Sequence, residues 1–130
     1  MFEILIDIQN YLGNKEIFTV SDEGKSALII HEKGNFKDTD EVDKKTISKD
    51  DFGKIVKAFS DVNFSEVFKE HSNLMGLDGW ILTCTIQNGT AKMSAQLWCP
   101  EKDDSMPETT KLLEACELIC PILELERMEA

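Results

Sequence analysis

The sequence predicts an α+β fold in which an antiparallel β-sheet, made of an N-terminal meander and a central Asn-Gly hairpin, packs against helices at about 49–60 and 107–120. Three observations lead there. The stretch Gly79–Pro100 holds two alternating apolar-polar runs on either side of Asn88-Gly89, a dipeptide that tolerates the positive φ of a tight hairpin turn. The first thirty residues alternate in the same way with turn signals between them. Phe52, Ile55, Val56 and Phe59 instead recur at the i, i+3, i+4, i+7 spacing of one helical face.

The hairpin organises the rest. A type I′ turn centred on Asn88-Gly89 sets Gln87 opposite Thr90 and gives the pairs Trp80/Leu97, Leu82/Ala95, Cys84/Met93 and Ile86/Ala91, all apolar and all on one face. The other face receives Ile81/Gln96, Thr83/Ser94 and Thr85/Lys92 and is mostly polar. A slip of one residue would mix the two faces, so turn and alternation agree on one buried side.

Upstream, Phe2, Ile4, Ile6 and Ile8 read as a half-buried strand, although Phe2, Leu5, Ile6 and Leu12 also share a helical face. Glu16–Val20 and Ser26–His31 follow as two further strands, joined at Ser21–Gly24. From Glu32 to Lys45 the chain is polar and of mixed charge, a solvated loop or a frayed edge strand. Ser48 is placed to cap the first helix, with Asp50 and Asp51 at its positive end. Phe64, Val67 and Phe68 form one more helical turn. Cys99-Pro100 ends the hairpin, because proline cannot donate to a ladder. Ser105 or its neighbour caps the last helix, which starts with Pro107 and buries Leu112, Leu113, Cys116, Ile119 and Cys120.

At 130 residues the chain is read as one domain, residues 1–130, large enough to bury a core. No apolar run approaches ~20 residues, so no transmembrane span is expected. The N-terminus carries Glu3 and Asp7 and lacks a basic leader, so it is not read as a secretory signal. Of the four cysteines, Cys84, Cys116 and Cys120 stand among apolar residues, which suits reduced structural thiols and a cytoplasmic location.

The search for chemistry returns little. Only His31 and His71 could serve as a base, and neither sits in a pattern that orients a nucleophile. Cys116 and Cys120 share a helical face but keep the company of Leu112 and Ile119, so no metal site is expected. No calcium loop or glycine-rich phosphate loop is present, and no cofactor is expected. Charge is the stronger signal. The net charge is −11, and residues 58–130 carry −8 of it. Such a surface repels nucleic acid and anionic membrane and complements a basic protein. Trp98 falls on the outer face of the hairpin, either covered by another element or exposed, just before the acidic run Glu101, Asp103 and Asp104, with Glu108 in the next helix and Asp78 at the other open end of the hairpin. An aromatic anchor beside carboxylates is what a binder of basic proteins presents.

The helix ISKDDFGKIVKAF, the hairpin GLDGWILTCTI-NG-AKMSAQLWCP and the closing helix TTKLLEACELI give residues 47–119 a layout that resembles small acidic bacterial immunity proteins, including those of contact-dependent growth inhibition. The resemblance implies a non-enzymatic monomer that binds a basic toxin domain one to one, often a nuclease, and covers its active or substrate-binding surface. The alternatives are an acidic interaction module, such as an adaptor or secretion chaperone, and a small enzyme using His71 or Cys99.

Overall fold

A computed structural model describes residues 2–10, 13–35, 39–71, 79–100, 102 and 104–120. The protein is α+β, with one six-stranded antiparallel sheet and three helices. β1 (Phe2–Asn10), β2 (Asn14–Asp22), β3 (Ser26–Asn35) and β4 (Thr39–Ser48) form a meander, followed by α1 (Lys49–Ser60) and α2 (Phe64–His71). The hairpin β5 (Trp80–Asn88) and β6 (Ala91–Trp98) precedes α3 (Pro107–Glu117). The strand order is β4-β3-β2-β1-β5-β6, so β1 is internal and joins meander to hairpin.

Residues 2–10 are strand, with Ile4, Ile6 and Ile8 fully buried. Alternation sends these three to the same face as Phe18, Val20, Leu82, Cys84 and Leu97, and the helices cover that face with Phe52, Phe59, Val67, Leu112 and Leu113. Phe2 meets Phe52 edge to face at 6.1 Å, fastening the start of β1 to α1. The opposite sheet face carries half-buried Leu5, Ile17 and Ile30 among threonines and charges, as antiparallel sheets with one wet side do.

The hairpin departs from the expected register by two residues. Cys84 pairs with Ala95 and not Met93, Leu82 with Leu97, Ile86 with Met93, and Asn88 with Ala91. The loop residues are therefore Gly89 and Thr90. Only Gly89 has positive φ, at +63°, which fits a type II′ turn with glycine first and not the type I′ turn on Asn88-Gly89. This register also sets Thr85 opposite Ser94, with the two hydroxyls 3.1 Å apart. A two-residue shift preserves sidedness, so Trp80, Leu82, Cys84 and Ile86 are buried as expected. Met93, expected inside, is 52% exposed because it lies toward the turn, outside the helical cover.

The polar segment Glu32–Lys45 is mainly strand. β3 continues to Asn35, and β4 pairs with it from Thr39 to Ser48 as an edge strand. Long-range pairing supplies what local composition lacks. At its end Ser48 Oγ accepts the Asp51 N–H at 3.1 Å, the expected cap of α1. Asp22 reaches the same point, accepting from Lys49 Nζ at 2.7 Å and from the Gly24 N–H at 2.8 Å. These contacts, the Lys49 hydrogen bond first, hold its carboxyl below the ordinary range. The helical turn expected at Phe64, Val67 and Phe68 is α2, in which Val67 is buried and Phe68 is 72% exposed.

The open end of the hairpin is locked by backbone contacts. The Cys99 N–H donates to Trp80 O at 2.8 Å, and Cys99 adopts φ +42°. Gly79 sits at φ +102°, and a Cβ there would come within 2.5 Å of Cys99 Sγ. Gly79→Ala is therefore expected to cost about 1–3 kcal/mol, measured by denaturant unfolding; an unchanged midpoint would show that this end is free to adjust. Leu113→Ala, at a fully buried position of α3, is expected to cost about 2–5 kcal/mol. A loss within experimental error would place α3 off the core.

Candidate functional site

Two places on the surface concentrate functional side chains: the acidic end built around the start of α3, and a groove between α1 and the β3–β4 side of the sheet.

At the acidic end the N-cap position of α3 falls on Met106, the neighbour of Ser105, which has no side-chain oxygen to cap the helix. The cap comes from α2. Glu70 Oε1 accepts the Thr109 N–H at 2.8 Å and its hydroxyl at 2.6 Å, and Oε2 accepts the Glu108 N–H at 3.2 Å. A carboxylate here also sits against the positive end of the helix. Sequence spacing could not reveal this cap, because donor and acceptor lie thirty-nine residues apart.

Glu108 is committed as well. Its Oε2 accepts the Asn63 N–H at 3.0 Å and its Oε1 the Lys111 ammonium at 3.0 Å. Asn63 first, then Lys111, hold the Glu108 carboxyl below its ordinary value. The turn after α1, the start of α2 and the start of α3 therefore meet at one corner. Asp104 is exposed just before α3, and Asp61 is exposed at the end of α1. Trp98 is half-buried on the outer sheet face, directly across from Ile81. Asp78, Glu101 and Asp103 lie outside the described residues.

Lysines do not neutralise this end. Of the four described lysines in its half of the chain, Lys69 pairs with Glu66, Lys102 with Glu117 and Lys111 with Glu108, while Lys92 stands on β6. Asp61, Asp104 and Glu114 remain exposed and outside these ion pairs.

The groove has a volume of about 410 Å³ and an apolar floor that includes Phe18, Ile29, Ile47 and Ile55. Its rim carries both signs, with Lys45 and Lys54 near Asp43 and Asp51. His31 opens onto it, stacked on Phe18 at 4.1 Å and 3.0 Å from the buried Glu16 carboxylate. Sequence reasoning missed this pair because Glu16 and His31 come from neighbouring strands. The signal available was that both fall on the core-side parity of their strands. His31 thus has a positioned carboxylate, but among the described residues no serine, threonine or cysteine lines the groove to act as nucleophile. His71 ends α2, and its side chain is outside the described set.

The thiols are placed for packing. Cys84, Cys116 and Cys120 are buried, and contact with Cys84 followed by burial pushes the Cys116 thiol well above its ordinary range. A thiol so shifted is a poor nucleophile. Cys99 Sγ accepts the Trp80 N–H at 3.4 Å. Among the described residues, no three His, Cys, Asp or Glu side chains are grouped to share a metal ion, and no helix is long and apolar enough to cross a membrane. No family model matches the chain, and no curated protein matches it.

Two measurements probe this geometry. Glu70→Ala is expected to destabilise the protein by about 1–2 kcal/mol, the scale of a lost helix cap, with Glu70→Gln retaining part of it. Equal stability of all three proteins would mean that α3 starts without help from α2. In a proton titration followed by NMR, Glu108 should titrate below an ordinary glutamate. Its contribution to stability is present above the unfolded value and lost as pH falls through the folded one. Lys111→Ala should raise that midpoint only partway, because the Asn63 N–H is the larger cause; full recovery would contradict the assignment.

Proposed function

We propose that this protein is a stoichiometric binder of a basic protein domain, acting in the cytoplasm as an immunity protein that covers the active or substrate-binding surface of a toxin. One observation carries the reading. In the half of the chain that holds most of the net charge, three of the four described lysines are paired internally, and Asp61, Asp104 and Glu114 are left facing water. Carboxylates so presented mimic the phosphates that a nuclease surface of lysines and arginines is built to hold. Such complementarity mainly speeds association and selects the partner, and desolvated pairs add affinity.

The groove at His31 favours no enzymatic reading over this one, since its described lining offers no serine, threonine or cysteine beside the imidazole. Trp98 supplies an aromatic surface at the open end of the hairpin, within a few residues of Asp104.

The test is co-purification with the product of the adjacent upstream reading frame, followed by charge reversal with Asp103→Lys and Asp104→Lys. The reading expects a stable complex whose association slows several-fold on reversal and whose salt dependence weakens. Absence of a complex counts against the immunity reading. A complex that forms at the same rate after reversal, at low and high salt alike, would move the interface away from the acidic end.

A further inference from the structure

The two edges of the sheet differ in a way that bears on assembly. β4 is guarded, carrying exposed Asp43, Lys44 and Lys45, and its pairing with β3 is interrupted by a register shift at Lys33/Gly34. Charges and bulges are the usual means of blocking edge-to-edge pairing. β6, the other edge, has one charge, Lys92, no proline and no register shift along its eight residues.

The direction of its free ladder follows from the turn. Around a two-residue hairpin the closing pair, here Asn88 and Ala91, exchanges hydrogen bonds, and hydrogen-bonded pairs then alternate along the ladder. The Cys99 N–H bond to Trp80 O confirms that odd-numbered residues of this strand bond inward to β5. The N–H and C=O groups of Lys92, Ser94 and Gln96 therefore point away from the sheet, and all three residues are exposed.

We propose that β6 pairs antiparallel with β6 of a second copy of this chain about a two-fold axis at Ala95, continuing the sheet across the dimer. Outward-bonding residues must meet outward-bonding residues, and with the axis at Ala95 Ser94 exchanges hydrogen bonds with Gln96 of the second copy. Met93 then lies opposite Leu97, covering a methionine that is 52% exposed in one copy. Lys92 faces Trp98, with its own counterpart roughly 20 Å away at strand spacing. No like charges meet. α2, which packs along β6, adds Phe68, 72% exposed on that helix. The self-complementary register selects a second copy over an unrelated strand. The dimer differs from the monomer expected at the outset and leaves Asp61, Asp104 and Glu114 outside the paired strands.

The experiment is sedimentation equilibrium on the full chain from low micromolar to several hundred micromolar, with circular dichroism to confirm folding. The wild type should show a concentration-dependent dimer. Ser94→Lys with Gln96→Lys puts lysine against lysine twice across the axis and should weaken the dimer about tenfold. It does so although the net charge becomes less negative, so general repulsion cannot be the cause. Ser94→Lys with Gln96→Glu makes two opposite-charge pairs in the same register and should dimerise at least as well as wild type. A wild type that stays monomeric throughout overturns the proposal, and this arm needs no variant to fold. A dimer indifferent to the double lysine variant, or weakened equally by both variants, overturns the edge or the register.

Discussion

β1 carries the architecture because it is hydrogen-bonded on both sides, to β2 from Glu3 to Gln9 and to β5 from Phe2 to Asn10. Without the second pairing, the meander and the hairpin would be two small sheets with nothing to share. With it, Ile4, Ile6 and Ile8 lie at the centre of a continuous apolar face between Phe18 and Val20 on one side and Leu82, Cys84 and Ile86 on the other. Burying each such side chain contributes about 1.5–3 kcal/mol. The helices follow from that face. α1 returns from the β4 edge to cover the meander side, α2 packs on β6, and α3 closes between them with Leu112 and Leu113 fully buried.

The carboxylates divide by what they face. Glu70 and Glu108 are spent inside the fold, one capping α3 and the other joining its first turn to Asn63, and together they set the angle at which α3 leaves the corner. Glu16 is buried against His31 and helps seal the β2–β3 side. Asp61, Asp104 and Glu114 have no such task. An acidic protein can in this way hold its helices with some of its charge and present the remainder to a partner. Lysine pairing within the second half limits how much of that remainder is cancelled.

Where the information was local, the sequence was legible. The cap at Ser48, the stripe Phe52-Ile55-Phe59, the inward set of the hairpin and the strand at Phe2–Ile8 all follow from spacing within a few residues. What escaped depended on pairings between distant segments. The hairpin turn moved on by one residue, and the register with it by two, because Gly89 suits the first position of a type II′ turn and Thr85 gains Ser94 as a partner; alternation cannot detect a slip that preserves sidedness. Residues 39–48 lack apolar alternation and became a strand because β3 offered a ladder. The Glu70 cap, the Glu16–His31 pair and the exposure of Phe68 all depend on which elements meet. Of the expected surface residues, Asp104 is exposed, Trp98 is half-buried, and Glu108 is bound to Asn63 and Lys111 within the fold.

The claim beneath all of this is that meander and hairpin form one cooperative sheet through β1. Native-state hydrogen exchange tests it directly. The account predicts that the amides of β1 and β5 exchange only through global unfolding, with a single free energy and a single dependence on denaturant shared with the internal residues of β2. Exchange of β1 and β2 at a distinctly lower free energy than β5, as if the meander could open while the hairpin stayed closed under its helices, would contradict it.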